Sequence, residues 1–121
     1  HAAVVMVPET DPRGRLLGFI TASFREPIVD PALLATWLAF WSLSRTTPII
    51  GQIHDELYAE NRQDIERLIS ACPNAPKDTR LAAVALTALV DGLWLELSLG
   101  NAPFSVAEAE ALAEKWVDSF I

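Results

Sequence analysis

Three aromatic residues, Trp37, Phe40 and Trp41 in "TWLAFWSLS", fall within one and a half turns of a helix and therefore point to more than one side. Tyr58 and Trp94 come from other segments. Asp91 stands three residues before Trp94 in "ALVDGLWLEL", a carboxylate inside a run that otherwise reads as core. Burying a lone carboxylate is expensive, so Asp91 must be exposed, paired or turned toward a pocket. Aromatic walls around one carboxylate suit a lipophilic or quaternary-ammonium cation, held by cation–π contact. Asp91, Asp64 and Glu96 are the candidates for its countercharge. For any single aromatic, packing in the core is the stronger reading. Taken together, Trp37, Phe40, Trp41, Tyr58, Asn61, Asp91 and Trp94 form the expected ligand-binding set.

Other chemistry finds little support. The two histidines are the terminal His1 and His54, the latter expected partly exposed on a polar shoulder beside Asp55, Tyr58 and Asn61. There is no Glu-x-x-His pair to hold a bundle metal, no glycine-rich phosphate loop and no Gly-x-Ser-x-Gly elbow. Neither a metal, a cofactor nor an enzyme is expected. Cys72 sits on an apolar stripe as a core filler, and a single cysteine excludes an internal disulfide and fits a reducing compartment. With 9 Lys+Arg against 16 Asp+Glu the formal charge is −7, which repels phosphate. Nucleic acid is therefore not an expected partner of this chain by itself. "HAAVVMVPETD" lacks the basic start and apolar length of a signal peptide. The longest apolar run, Leu81 to Val90, is closed by Asp91 and reads as too short to span a bilayer. A cytoplasmic domain without a membrane partner is expected.

The elements that must position these residues are helical. Prolines and turn clusters cut the 121 residues into five segments of helical periodicity, with no convincing strand. Asp11 and Pro12 cap and open the first, which carries Leu16, Phe19, Ile20 and Phe24; Asp30 and Pro31 repeat the device in the second. Apolar residues cover most of the second segment's circumference, so it is expected to be largely buried. The third begins at Pro48 with an apolar stripe of Ile50, Ile53, Leu57, Leu68 and Cys72, interrupted by Asn61 and Asp64. "PNAPKD" ends it, and Asp78 caps the fourth, apolar almost all round and stopped at Gly100. Ser105 and Glu108 form a capping box for the fifth, whose stripe includes Ala109, Leu112, Ala113, Trp116, Val117 and Phe120. The fold class is all-α, a single domain over residues 1–121.

Gly92 costs about 1 kcal/mol relative to alanine inside a helix. Ala85, Leu89, Gly92 and Leu99 recur at intervals of three and four, and a glycine there admits a close backbone. That neighbour is either within the monomer or the same helix of a second subunit. The second alternative, with Leu112, Trp116 and Phe120 of the last helix, gives an isologous four-helix interface. Leu93 and Glu96 are assigned to the same interface. The 51% hydrophobic content favours a covered apolar face.

"TWLAFWSLS" at Thr36 to Ser44, Pro48 and its long helix, and "ALVDGLWLELSL" at Ala88 to Leu99 together resemble the C-terminal domain of TetR-type transcriptional repressors. The nearest branch is the BetI-like one, named for the choline-responsive repressor, and the similarity runs from about Arg15 to Phe120. The resemblance implies a five-helix effector-binding domain that dimerises through its last two helices. It also implies that effector binding among the earlier helices shifts two DNA-reading heads and releases the operator. Choline or another lipophilic cation is the leading effector. No helix-turn-helix precedes Asp11, so operator binding is expected only through an N-terminal domain missing from this chain. The alternative is a non-catalytic helical interaction module without an internal pocket.

Overall fold

A computed structural model describes residues 11–121, and residues 1–10, which make up all but the last residue of the stretch read as no signal peptide, lie outside the described residues. Helices α1 (Pro12–Thr21), α2 (Pro31–Leu43), α3 (Pro48–Ser70), α4 (Thr79–Ser98) and α5 (Val106–Phe120) follow in order, and a short 3-10 turn, Ala22–Phe24, prolongs α1. Among the described residues there is no strand. Each start is chemically marked. Asp11 accepts from the backbone N–H of Gly14 at 3.1 Å, Asp30 from Ala32 at 3.0 Å, and Asp78 from Leu81 at 2.9 Å. The Ser105–Glu108 capping box is complete in both directions. Such caps are worth about 1 kcal/mol each. Gly100, at φ 77°, ends α4 in the left-handed region that glycine enters without steric cost.

α4 is the central element, packed against α2, α3 and α5, while α1 lies across α3 and α5. The core joins Leu16, Ile20 and Phe24 to Ile65, Ile69 and Cys72, with Leu86, Val90 and Leu93 from α4 and Ala109, Ala113 and Val117 from α5. Alanines at two core positions of α5 let that helix lie close to α1 and α4. Cys72 fills its place as expected and donates its thiol to the Leu68 carbonyl at 3.4 Å; burial pushes the thiol pKa up.

Three expectations from periodicity need correction. Helix α2 is not largely buried: Leu34 alone is, and Leu33 and Leu43 are exposed. It lies at the margin of the bundle, against α3 and α4, so among the described residues one side is packed and the other is exposed. On α3 the buried residues are Ile65 and Ile69, whereas Ile53 and Leu57 are exposed. The 23 residues of α3 make a helix of roughly 35 Å, longer than any other here, and only its C-terminal half enters the core. Finally, the apolar stretch closed by Asp91 is not too short to span a bilayer once the helix that contains it is counted. The helix runs through it to Ser98 as expected, and α4 is by length and composition apolar enough to cross a membrane, with 28% of its most apolar 18-residue window buried here. Its inner face accounts for the core, and its outer face remains an exposed apolar stripe.

Gly51 marks the sharp return from α2 to α3. A Cβ built there would lie 2.6 Å from the Ser44 carbonyl oxygen. Gly51→Ala gains about 1 kcal/mol of helix propensity, but a clash with backbone costs about 1–3 kcal/mol. The clash wins, and a urea melt of G51A is expected to give a net loss of about 1 kcal/mol or more. A melt showing stabilisation would mean that the turn yields freely.

Candidate ligand-binding site

A cavity of about 350 Å³ lies between α1, α2, α3 and α4, within the size range of small-molecule sites. Phe19, Ile20 and Ser23 form one wall, Trp37 a second, Leu57, Tyr58, Asn61 and Ile65 a third, and Thr87, Val90, Asp91 and Trp94 the fourth. Helical geometry explains the α3 and α4 sets. Leu57, Asn61 and Ile65 are spaced by four, as are Thr87 and Asp91 and likewise Val90 and Trp94, so each set shares a face.

The aromatics are held in fixed relation. Trp37 meets Trp94 edge to face with ring centres 5.5 Å apart, and Trp94 donates its indole N–H to the Ser23 carbonyl at 2.9 Å. The Trp37 indole N–H donates to the Tyr58 hydroxyl oxygen at 3.0 Å. That leaves the tyrosine proton free to donate to the Asp91 carboxylate, 3.4 Å away. One hydrogen-bonded line thus crosses α2, α3 and α4. His54 stacks on Tyr58 with ring centres 4.4 Å apart. Its side chain is 17% exposed, partly exposed as expected, and its Nδ1 pairs with Asp55 at 3.2 Å; among the described residues its Nε2 has no hydrogen-bond partner.

Electrostatics follow from this burial. Desolvation pushes the Asp91 carboxyl up to about 6, against the opposing pull of the Tyr58 hydrogen bond and of His54 and Arg62. Desolvation first, and then the Asp91 charge, push the Tyr58 hydroxyl up to about 12, so it remains a neutral donor at physiological pH. Removing that donor removes one of the influences that hold Asp91 down. In Tyr58→Phe the Asp91 titration, followed by carboxyl-carbon NMR, is expected to move to higher pH. An unchanged midpoint would mean that the long hydrogen bond is energetically idle.

Of the residues expected to bind ligand, Trp37, Tyr58, Asn61, Asp91 and Trp94 come together around the cavity. Phe40 and Trp41 do not line it. Trp41 stacks behind Trp37 at 5.2 Å, and Phe40 turns to His54 at 6.0 Å. Neither alternative countercharge reaches it either: Asp64 pairs with Arg67, and Glu96 is exposed. The lining residues Phe19, Ile20, Ser23, Leu57, Ile65, Thr87 and Val90 were not anticipated. Their apolar periodicity signals burial, and a core wall and a cavity wall share that signal. Among the described residues, no group of three or more His, Cys, Asp or Glu side chains could hold a metal ion.

The residues expected at a dimer interface divide. Ala85, Gly92, Glu96, Leu112 and Phe120 are exposed, and Leu89 and Trp116 are half-buried. Leu93 is 7% exposed and belongs to the core of its own chain, because it lies on the inner face of α4. A Cβ at Gly92 would meet nothing within 4 Å, so among the described residues no backbone of another element approaches it.

Five helices in this arrangement, with a cavity walled by the first four, define the C-terminal domain fold of TetR-type regulators. The crystal structure of a transcriptional regulator from Pseudomonas aeruginosa PAO1 matches with a TM-score of 0.81 and 37% identity, over 98% of this chain and 58% of that one. The chain belongs to the family of BetI-type transcriptional repressor C-terminal domains, whose model matches residues 12–121. The HTH-type transcriptional regulator BetI of Burkholderia lata is 34% identical over 116 residues, covering 89% of this chain and 55% of the relative. BetI of Proteus mirabilis is 30% identical over 118 residues, covering 93% and 56%. The chain thus spans about half the length of the curated relatives it matches.

Proposed function

We propose that this chain is the effector-sensing and dimerising part of a cytoplasmic, DNA-binding repressor, and that its effector is a small cation of quaternary-ammonium type such as choline. The observation that carries the ligand class is the placement of Asp91 as the one carboxylate of an aromatic cavity, beside the faces and edges of Trp37, Trp94 and Tyr58. A cation there gains cation–π attraction and a countercharge, while the desolvated carboxylate gains a cation beside its Tyr58 hydrogen bond. Operator binding comes, in this reading, through a helix-turn-helix outside the length matched to the BetI regulators. The effector favours the arrangement that does not fit the operator and shifts the population toward it.

The outer stripe of α4, Leu81, Val84, Ala85, Ala88, Gly92 and Leu99, continues onto Leu112 and Phe120 of α5 and pairs with its copy in a four-helix interface. An interaction module without an internal pocket is disfavoured by the 350 Å³ cavity. The test is a tryptophan-fluorescence titration with choline and tetramethylammonium, run beside sedimentation velocity. Saturable quenching in a dimer supports the reading; a monomer silent to both cations rejects it.

A further inference from the structure

Leu57 lines the cavity and yet is 54% exposed, so the wall it forms is also outer surface and the cavity opens beside it. Four and eight residues earlier on α3 stand Ile53, 42% exposed, and Ile49, 61% exposed. Spacing by four keeps the three side chains adjacent along one side of the helix. They form an apolar ridge of about 12 Å from the cavity mouth toward the start of α3. The cavity itself holds roughly a dozen waters' worth of volume at about 30 Å³ each, more than a compact ammonium head requires. Gln52 and Glu56 flank the ridge, and no Lys or Arg occurs between Pro48 and Asn61 to attract an anion.

We infer that the ligand class extends to cationic amphiphiles: the ammonium head sits at Asp91 among Trp37, Trp94 and Tyr58, and a linear alkyl tail leaves past Leu57 to lie on Ile53 and Ile49. This rests on the cation reading above and adds the tail. It predicts that chain length contributes to affinity well after the cavity is full. A fully buried methylene is worth about fourfold in affinity, and on a ridge that covers one side of the tail about twofold is expected.

The test is calorimetric titration of the chain with alkyltrimethylammonium ions from tetramethyl to decyl, each below its micelle concentration. Affinity is expected to rise about sixteenfold between hexyl and decyl, four methylenes at about twofold each. In the double variant Ile49→Ser/Ile53→Ser that increment disappears while tetramethylammonium affinity stays unchanged; both positions are exposed, so the fold does not depend on them. A plateau at hexyl, or an increment that survives the double variant, overturns the tail site and leaves the head site standing. Absence of binding by every member overturns the cation reading and the tail site with it. If the double variant turns a dimer into a monomer, the ridge is covered by a second copy and the tail site is likewise overturned.

Discussion

Asp91→Asn is expected to lose trimethylammonium ligands by about thirtyfold at pH 7.5, about 2 kcal/mol, and at the same time to be the more stable protein. Both effects have one origin. Burial raises the Asp91 carboxyl to about 6, so between its ordinary value of 3.8 and about 6 the folded chain holds the proton more tightly than the unfolded chain. Stability therefore falls as pH rises through that window and stays lower above it. Two pH units correspond to about 3 kcal/mol. Screening of a half-buried carboxylate reduces this to about 1–2 kcal/mol. Asparagine has no charge to desolvate and can still accept from Tyr58, so denaturant melts of D91N are expected to lose the pH dependence between 4 and 6. Ligand binding has the opposite pH dependence. The cation needs the ionised carboxylate, so wild-type affinity rises through about pH 6 and levels off, whereas the weak affinity of D91N stays flat. A D91N protein that binds as well as wild type would remove Asp91 from the site.

Gly92→Leu is expected to raise the dimer dissociation constant by about 100-fold or more while leaving the subunit folded. An added Cβ at Gly92 meets nothing within 4 Å among the described residues and the position is exposed, so the leucine side chain can point outward and the substitution gains roughly 1 kcal/mol of helix propensity. In an isologous interface each substitution is presented by both subunits, and overpacking of about 1–3 kcal/mol counts twice. Sedimentation equilibrium of G92L measures the dissociation constant, and its circular dichroism checks the helices. A dimer of unchanged affinity would place Gly92 outside the interface. The two substitutions separate the two parts of the proposed function: D91N leaves association intact, and G92L leaves the cavity intact.

The order and type of the elements could be read along the chain because local chemistry dictates them. Aspartate–proline pairs at 11–12 and 30–31, the Ser105–Glu108 capping box and Gly100 act on backbone groups within a few residues, so no tertiary partner is needed to interpret them. Asp91 was legible as a site residue for a related reason. A charge in an apolar helix carries a desolvation cost wherever the helix goes, which limits what can surround it.

Composition and spacing could not decide which apolar face has a neighbour. Periodicity reports that Ile53, Leu57, Ile65 and Ile69 share α3, and only the packing shows that α1 and α4 bury the second pair and leave the first in the open. For the same reason Trp37 and Trp41, one turn apart and chemically identical, part company: the first walls the cavity and the second stacks behind it. A cavity is volume left between helices that are distant in sequence, so its lining is a property of their relative placement. The sequence by itself determined five helices, four of them capped by a side chain, and one costly carboxylate. Tertiary structure alone decided that the carboxylate meets Tyr58, itself held by Trp37, because that outcome depends on where α2 and α3 cross α4.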